Sequence, residues 1–177
     1  STMPPRFLDG AKGLRIIGDV HGAYSELAAA TSDALASDYR IVSIGDIVDR
    51  GDDNAGAIRH ILDLHRQGVL ELVPGNHDWR FARWAIGRDV KINHGLDITI
   101  AHIEAAPDGR QLRKRYADLV LDSALFHRVG CFILVHAAFS QSMLWTDPPR
   151  LRDEVAIRRA KGIKSRALYG QTEGWYT

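Results

Sequence analysis

The chain has 177 residues, of which 45% are hydrophobic and 25% are charged, and this length favours one domain with a sizeable core over two. Its formal net charge is +1, and no apolar run approaches the roughly 20 residues that a membrane-spanning helix needs. The first residues lack a signal-peptide pattern, and Ser1-Thr2 before Met3 resembles the remnant of a cleaved tag. We therefore expect a cytoplasmic protein that does not enter a membrane.

The charge is unevenly distributed along the chain. Residues 1–109 contain 11 Lys and Arg against 16 Asp and Glu, whereas residues 110–166 contain 12 against 5. An acidic first half could hold metal ions while a basic second half attracts phosphate-rich substrates. Two solvated basic helices would explain the same excess, and the sequence leaves both interpretations open.

In the first half, short apolar runs alternate with stretches of helical spacing. Strands are predicted at residues 14–17, 41–44 and 70–73, and helices at residues 24–36, from near Asp53 to a cap at Gly68, and through Trp79 to near Gly87. This alternation implies right-handed crossovers and a largely parallel sheet.

The second half has a weaker pattern. Helices are predicted at 96–105, 111–127 and 151–161, a fourth strand at 131–135, and a Gly-rich tail at 166–177. The only cysteine, Cys131, excludes an intramolecular disulfide and is predicted to be a buried thiol because it begins the apolar strand.

Each predicted strand is followed at once by a polar motif. The four motifs are Gly18-Asp19-Val20-His21-Gly22, Gly45-Asp46-Ile47-Val48-Asp49-Arg50-Gly51, Pro74-Gly75-Asn76-His77-Asp78 and His136-Ala137-Ala138. Ligands of parallel α/β sheets bind at the carboxyl ends of the strands, so we expect the four motifs to converge on one edge.

The converging side chains have the chemistry of metal ligands. One metal ion is predicted to be held by Asp19, His21 and Asp46, and a second by Asp46, Asn76 and His136, with the Asp46 carboxylate shared. Carboxylate, amide and imidazole ligands without a thiolate suit two divalent ions, with Mn expected and Fe, Zn or Ni as alternatives.

Two such ions would lower the pKa of a bridging water and clamp an in-line displacement at phosphorus. Arg50 and Asn76 are expected to contact the substrate, Arg50 by a bidentate grip on phosphate oxygens. His77, held by Asp49, is expected to protonate the leaving oxygen. The remaining histidines that lie on predicted helices are interpreted as surface or core residues: His60, His65, His102 and His127.

These motifs resemble those of the calcineurin-like metallophosphoesterase superfamily. The form Gly-Asp-x-His-Gly with Asp-Arg-Gly resembles the branch that contains Ser/Thr phosphoprotein phosphatases, diadenosine tetraphosphate hydrolases and the phosphatase domain of bacterial polynucleotide kinase-phosphatase. The resemblance implies a four-layer α/β sandwich in which two mixed β-sheets are flanked by helices. It supports the metal and catalytic roles assigned above.

Shorter stretches bear on the branch. Residues 93–96 (Asn-His-Gly-Leu) and 167–174 (Ala-Leu-Tyr-Gly-Gln-Thr-Glu-Gly) resemble the bacterial polynucleotide phosphatase group, with Gln171 and Glu173 as departures. Residues 145–148 (Trp-Thr-Asp-Pro) instead resemble the protein phosphatases. Ala138 replaces the glycine usual after His-Ala, which is expected only to stiffen the loop.

A further difference concerns the last histidine ligand of the family, which lies in a Gly-His-Thr-type segment that this chain does not contain. We therefore expect residues 1–177 to form a single metallophosphoesterase domain that is C-terminally incomplete, with an under-ligated second metal. The predicted function is hydrolysis of phosphate esters, with a phosphorylated small molecule, nucleotide or nucleic-acid end as the substrate. A Ser/Thr protein phosphatase and a non-catalytic binding module remain alternatives, and the oligomeric state is open.

Overall fold

Three short strands form the parallel sheet around which the first half of the chain folds. The structure is a computed structural model that describes residues 1–170. The strands are β1 (Gly13–Ile17), β2 (Tyr39–Ser43) and β3 (Leu70–Leu72), in the order β1-β2-β3. Ile41 of β2 lies opposite Arg15 on one side and Leu70 on the other. Ile41 and Val42 are fully buried, as expected for the central strand of a covered parallel sheet.

The crossover helices are α1 (Tyr24–Ala36) and α2 (Asn54–Arg66), and both agree with the predicted spans. Helix α2 begins where the side chain of Asp53 accepts a hydrogen bond from the backbone N–H of Gly56 at 2.7 Å. It ends before Gly68, whose φ of +72° is the left-handed conformation that follows many helix ends.

Three helices follow the sheet: α3 (Asn76–Ala85), α4 (Leu96–Ala105) and α5 (Gly109–Asp122). Helix α5 buries Leu112, Tyr116 and Val120, which are spaced four residues apart along one face. The ring of Tyr116 packs edge-on against Phe81 of α3, with the ring centroids 5.3 Å apart. These contacts pack α3 against α5.

The prediction of a helix over 111–127 was wrong at its C-terminal end. Helix α5 stops at Asp122, and residues 126–129 form strand β4 (Phe126–Val129), so that His127 lies on a strand. Strand β4 pairs with β5 (Phe132–Val135), with Phe126 opposite Val135. Pairing with a strand that follows in the sequence overrides the local helical pattern.

The predicted fourth strand at 131–135 is present as β5, but it lies outside the parallel sheet. Strands β4 and β5 form a separate antiparallel sheet, because a turn at Gly130 and Cys131 is too short for a parallel crossover. The turn exposes Cys131, which corrects the prediction of a buried thiol. The predicted α/β class with two sheets is confirmed: the described residues form one parallel and one antiparallel sheet.

The last part of the described chain is helical. A 3₁₀ turn (Gln141–Leu144) precedes α6 (Glu154–Arg159) and α7 (Ile163–Tyr169). Two helices therefore replace the predicted single helix over 151–161 and the start of the predicted tail, because Gly162 breaks the helix with φ of +79°. Residues 171–174 of the stretch 167–174 lie outside the described residues. Over residues 1–170, each helix is too short or too polar to cross a membrane.

Candidate metal centre

The turn after β2 has an unusual backbone. Asp46, Asp49 and Arg50 have φ values of 53°, 78° and 79°, and His21 in the turn after β1 has 45°. The two turns are joined, because the carbonyl of Asp46 accepts hydrogen bonds from the N–H groups of Val20 (2.9 Å) and His21 (2.8 Å). Left-handed backbone at non-glycine residues costs free energy and clusters at functional sites.

The loop after β3 approaches Asp46 closely enough to require a glycine. Oδ1 of Asp46 accepts a hydrogen bond from the backbone N–H of His77 at 3.0 Å. A Cβ atom on Gly75 would lie 2.2 Å from the same Oδ1 atom. Only glycine leaves room for the carboxylate at this position, so the third motif is shaped to hold Asp46 of the second motif.

Oδ2 of Asp46 is the meeting point of the donor atoms. It lies 3.7 Å from Nε2 of His21 and 3.4 Å from Nε2 of His136. Asp19 lies beside both rings, with oxygens 3.7 Å from Nε2 of His21 and 3.9 Å from Nδ1 of His136. Oδ1 of Asn76 is 3.2 Å from Nε2 of His136. The structure thus brings together all five residues predicted to bind metal.

Hydrogen bonds to backbone carbonyls orient the two imidazoles. Nδ1 of His21 lies 2.8 Å from the carbonyl oxygen of Val48, and Nδ1 of His136 lies 2.7 Å from that of Ile44. A carbonyl only accepts, so each Nδ1 carries a proton and each ring turns its Nε2 atom towards Asp46.

This donor set fits divalent cations. Nε2 of His136 faces the carboxylate of Asp46 and the amide oxygen of Asn76. Two ligand atoms bound to the same zinc-like ion lie within about 4.4 Å of each other. The donor-atom separations given above, from 3.2 to 3.9 Å, satisfy this limit. Ligand atoms lie within 4.8 Å of one another in two groups, His21–Asp46–His77 and Asp19–Asp46–His136. Asp46 belongs to both groups, whereas Asp19 and His77 are grouped differently from the prediction.

A buried chain of polar side chains lies behind His77. Nδ1 of His77 donates to Oδ2 of Asp49 at 2.6 Å, and the hydroxyl of Thr99 donates to the other carboxylate oxygen at 2.7 Å. The backbone N–H of Asp49 lies 2.8 Å from Oδ1 of Asn54 and 3.0 Å from the Thr99 hydroxyl. Asn54 in turn bonds to His102, which was interpreted as remote from this edge. Thr99, Asn54 and His102 were not predicted to contribute.

The buried carboxylate of Asp78 holds the turn that carries Asp46. Its carboxylate accepts hydrogen bonds from the N–H groups of Asp46 (2.6 Å), Ile47 (3.0 Å) and Gly75 (2.8 Å) and from the hydroxyl of Tyr116 (2.7 Å). Burial, together with the charge of Asp46, raises the pKa of Asp78 to about 6, although these hydrogen bonds oppose the shift. Burial and the charge of Asp78 raise the pKa of Tyr116.

Arg50 is exposed at the edge of the centre. It takes part in no ion pair within residues 1–170. The segment at residues 93–95 lies against its backbone, since a Cβ on Gly95 would be 2.6 Å from the backbone nitrogen of Arg50. The side chain of Arg80 in α3 donates to Asn93 of this segment at 2.9 Å. The Asn-His-Gly-Leu stretch therefore supports the loop that carries Arg50.

A parallel sheet with carboxylate and imidazole donors beyond its strand ends is typical of metal-dependent hydrolases. The family described as calcineurin-like phosphoesterase matches residues 14–149. The chain belongs to this family. The family predicted from the motifs is confirmed, and with it the class of hydrolases that act on phosphate esters.

Two relatives carry the name bis(5'-nucleosyl)-tetraphosphatase PrpE (asymmetrical). The protein from Geobacillus sp. (strain WCH70) is 30% identical over 173 residues, which cover 90% of this chain and 66% of that protein. The protein from Halalkalibacterium halodurans is 27% identical over 172 residues, covering 90% and 65% respectively. The chain thus spans slightly less than two thirds of the length of these relatives.

Solved structures share the fold at low identity. A cold-active protein-tyrosine phosphatase of a psychrophilic Shewanella species gives a TM-score of 0.52 at 17% identity, covering 90% of this chain and 51% of that one. A Saccharomyces cerevisiae protein serine/threonine phosphatase with similarity to human phosphatase PP5 gives 0.51 at 16% identity, covering 73% and 38%. These likenesses concern the fold alone.

Proposed function

We propose that the protein hydrolyses phosphate esters at a centre that holds two divalent metal ions. The observation that carries the proposal is the position of Asp46, whose carboxylate belongs to both groups of converging ligand atoms. When bound, the ions would neutralise phosphate charge and lower the pKa of a water molecule. The remaining work of the reaction falls to side chains of this chain.

Asp19, His21, Asp46, Asn76 and His136 are the proposed metal ligands. The carbonyl-bound Nδ1 atoms of His21 and His136 support this assignment, because they leave Nε2 of each ring to face the other proposed ligands. The absence of thiolate from the set favours Mn, with Fe, Zn or Ni as alternatives.

His77 is proposed as the general acid. The leaving alkoxide needs a proton when its bond to phosphorus breaks, and an imidazolium supplies one near neutral pH. Asp49 keeps Nδ1 protonated and would stabilise the positive ring before the transfer. The other ring nitrogen then gives its proton to the leaving oxygen, which leaves as the alcohol.

Arg50 and Asn76 are proposed to bind the phosphate. The guanidinium of Arg50 is exposed and pairs with no carboxylate within residues 1–170, so it is available to fork onto two phosphate oxygens. Asn76 begins helix α3, whose dipole favours an anion near its N-terminus.

The substrate is proposed to be a nucleotide or polynucleotide phosphate. The names of the PrpE relatives support a nucleotide-type substrate, and the excess of Lys and Arg over residues 110–166 supports a polyanion. The fold similarity to protein phosphatases does not by itself favour a phosphoprotein substrate.

The test compares three substrates on the full-length protein with Mn²⁺: p-nitrophenyl phosphate, bis(5'-adenosyl) tetraphosphate and a phosphopeptide. We expect turnover of the first two and its loss in Asp46→Asn, with Asp9→Asn as an exposed control. Unchanged turnover in Asp46→Asn would contradict the mechanism. Preference for the phosphopeptide would favour a protein phosphatase, and metal binding without any turnover a non-catalytic module.

A further inference from the structure

A cationic cleft of about 210 Å³ lies between α3, α6 and α7. Arg88, Arg158 and Lys164 line it together with Trp79. Of the described residues that line the cleft, Glu154 alone is acidic, and its carboxylate lies 3.7 Å from Arg88. The cleft therefore has a surplus of positive charge in a concave surface, where fields are focused.

The indole of Trp79 contacts Lys164 of the cleft and the neighbouring Arg83. Nζ of Lys164 lies 4.5 Å from the ring centroid, and Cζ of Arg83 lies 5.2 Å from it. Trp79 is only 6% exposed, so the ring supports the cations and does not stack on a ligand. Nε of Arg83 is buried and has no hydrogen-bond partner among the described residues.

The cations repel one another at close range. Within residues 1–170, Arg83, Arg158 and Lys164 take part in no ion pair. Burial lowers the pKa of Lys164, and the charges of Arg83 and Arg88 add to this shift. An anion in the cleft would relieve this repulsion, and a phosphate group has the oxygens to bind several of the cations at once.

Two helices connect the cleft to the metal centre. Asn76, Trp79 and Arg83 lie on one face of α3, and the seven-residue separation from Asn76 to Arg83 spans about 10 Å of helix. Helix α7 carries Lys164, and its Ala167 carbonyl accepts a hydrogen bond from Ala137, the neighbour of His136, at 3.0 Å.

We infer that this cleft is a second phosphate-binding subsite, which takes a phosphate of the substrate other than the one that reacts. The inference rests on the proposed function and names the substrate as one with several phosphates. The ligand chemistry is a phosphate within a longer polyanion, either the polyphosphate bridge of a dinucleotide or a phosphodiester of a polynucleotide.

The kinetic test uses Lys164→Gln and Arg158→Gln in the full-length protein. Arg159→Gln is the matched control, since Arg159 is exposed beside Arg158 on α6 and does not line the cleft. We expect the ratio of kcat/KM for the long substrate to that for p-nitrophenyl phosphate to fall about tenfold in each cleft variant, a loss of about 1.4 kcal/mol. The long substrates are bis(5'-adenosyl) tetraphosphate and a 5'-phosphorylated oligonucleotide, and the one affected identifies the source of the phosphate.

A binding test separates the two proposals. In EDTA, fluorescence anisotropy of a labelled single-stranded oligonucleotide and calorimetry with bis(5'-adenosyl) tetraphosphate measure affinity without turnover. The slope of log K against log salt for the oligonucleotide should fall by about 0.7 in Lys164→Gln and stay unchanged in Arg159→Gln.

Each outcome decides one proposal. Weaker binding in Lys164→Gln without turnover of any substrate would support the cleft and overturn the proposed function. Normal turnover, with kinetic ratios and affinities equal to those of Arg159→Gln, would overturn the cleft and leave the function. Equal losses in Lys164→Gln and in the control Arg159→Gln would indicate a general effect of net charge and would also overturn the cleft. Failure of both polyanions to bind would overturn it as well.

Discussion

Nδ1 of His77 lies 2.6 Å from Oδ2 of Asp49, and the two side chains are 7% and 0% exposed. A carboxylate this close accepts the Nδ1 proton and fixes the orientation of the ring. The pair is thus suited to hold a proton at the edge of the metal centre. Its partners make the role testable, because each can be altered without touching a proposed metal ligand.

Asp49→Asn should reduce turnover according to the leaving group. An amide does not stabilise the imidazolium, so kcat for an alkyl phosphate should fall by about 10²–10⁴-fold. The leaving group of p-nitrophenyl phosphate, p-nitrophenolate, departs without needing a proton, so kcat for this substrate should fall much less. Steady-state kinetics on both substrates check this, and equal losses would contradict the role of His77 as an acid.

Thr99→Val should weaken the Asp49–His77 pair by removing a hydrogen bond to Asp49. The Thr99 hydroxyl donates to Asp49 and is fully buried, so its removal should lower the free energy of unfolding by about 1–3 kcal/mol. The same leaving-group dependence of kcat should appear in milder form. Urea denaturation and the two-substrate assay measure these effects. Thr99→Ser keeps the hydroxyl and should stay close to the unaltered protein; a serine variant as impaired as valine would point to packing.

Gly75→Ala and Gly18→Ala should differ sharply although both glycines belong to motifs. The added Cβ at Gly75 would collide with Oδ1 of Asp46, so Mn²⁺ affinity and turnover should fall at least tenfold. At Gly18 the Cβ meets nothing within 4 Å, and a change within about 0.5 kcal/mol in unfolding free energy is expected. Metal titration by calorimetry and thermal melting distinguish the two, and similar behaviour would argue against a steric role for Gly75.

Metal removal should lower thermal stability. At a concentration 100 times Kd, a ligand stabilises the folded state by about 2.7 kcal/mol, which for a domain of this size corresponds to a Tm shift of about 5–10 °C. Melting curves with Mn²⁺ and with EDTA measure the shift. It should disappear in Asp46→Asn and persist in Asp9→Asn. A shift that persists in Asp46→Asn would place the bound metal elsewhere.

Cys131 should react in the folded protein. It is exposed at the β4–β5 turn, so a thiol reagent such as 5,5'-dithiobis(2-nitrobenzoate) should modify it at a rate close to that in denaturant. A native rate lower by more than about tenfold would show that the thiol is covered in the whole protein.

The sequence predicted the first half of the fold well because local and tertiary signals agree there. Asp53 caps α2, Gly68 follows its end, and Asp46 comes directly after a buried strand whose neighbours are parallel. A motif at a strand end has a fixed place in a parallel sheet, so the positions of Asp19, His21 and Asn76 could be anticipated. His136 joins them from a separate antiparallel sheet, by a route that the sequence did not indicate.

The supporting residues could not be found in the same way. Tyr116 has the spacing of a core residue on α5, and nothing local shows that its hydroxyl reaches Asp78, 38 residues earlier. Thr99 likewise lies 50 residues from Asp49. Contacts of this kind depend on how helices pack on the sheet. Asp78 alone among these residues has a local signal, since it is an acidic residue that directly follows Asn76 and His77 and lies in the first turn of α3.

The hydrogen bond from His136 to the carbonyl of Ile44 joins the antiparallel hairpin to the end of the parallel sheet. The proposed metal ligands therefore come from both halves of the molecule, and the proposed set of Asp46, Asn76 and His136 is assembled only when the hairpin docks. Tight binding of a second ion at that set would then have to wait for docking during folding. The affinity for that ion would report on the assembly of the two halves.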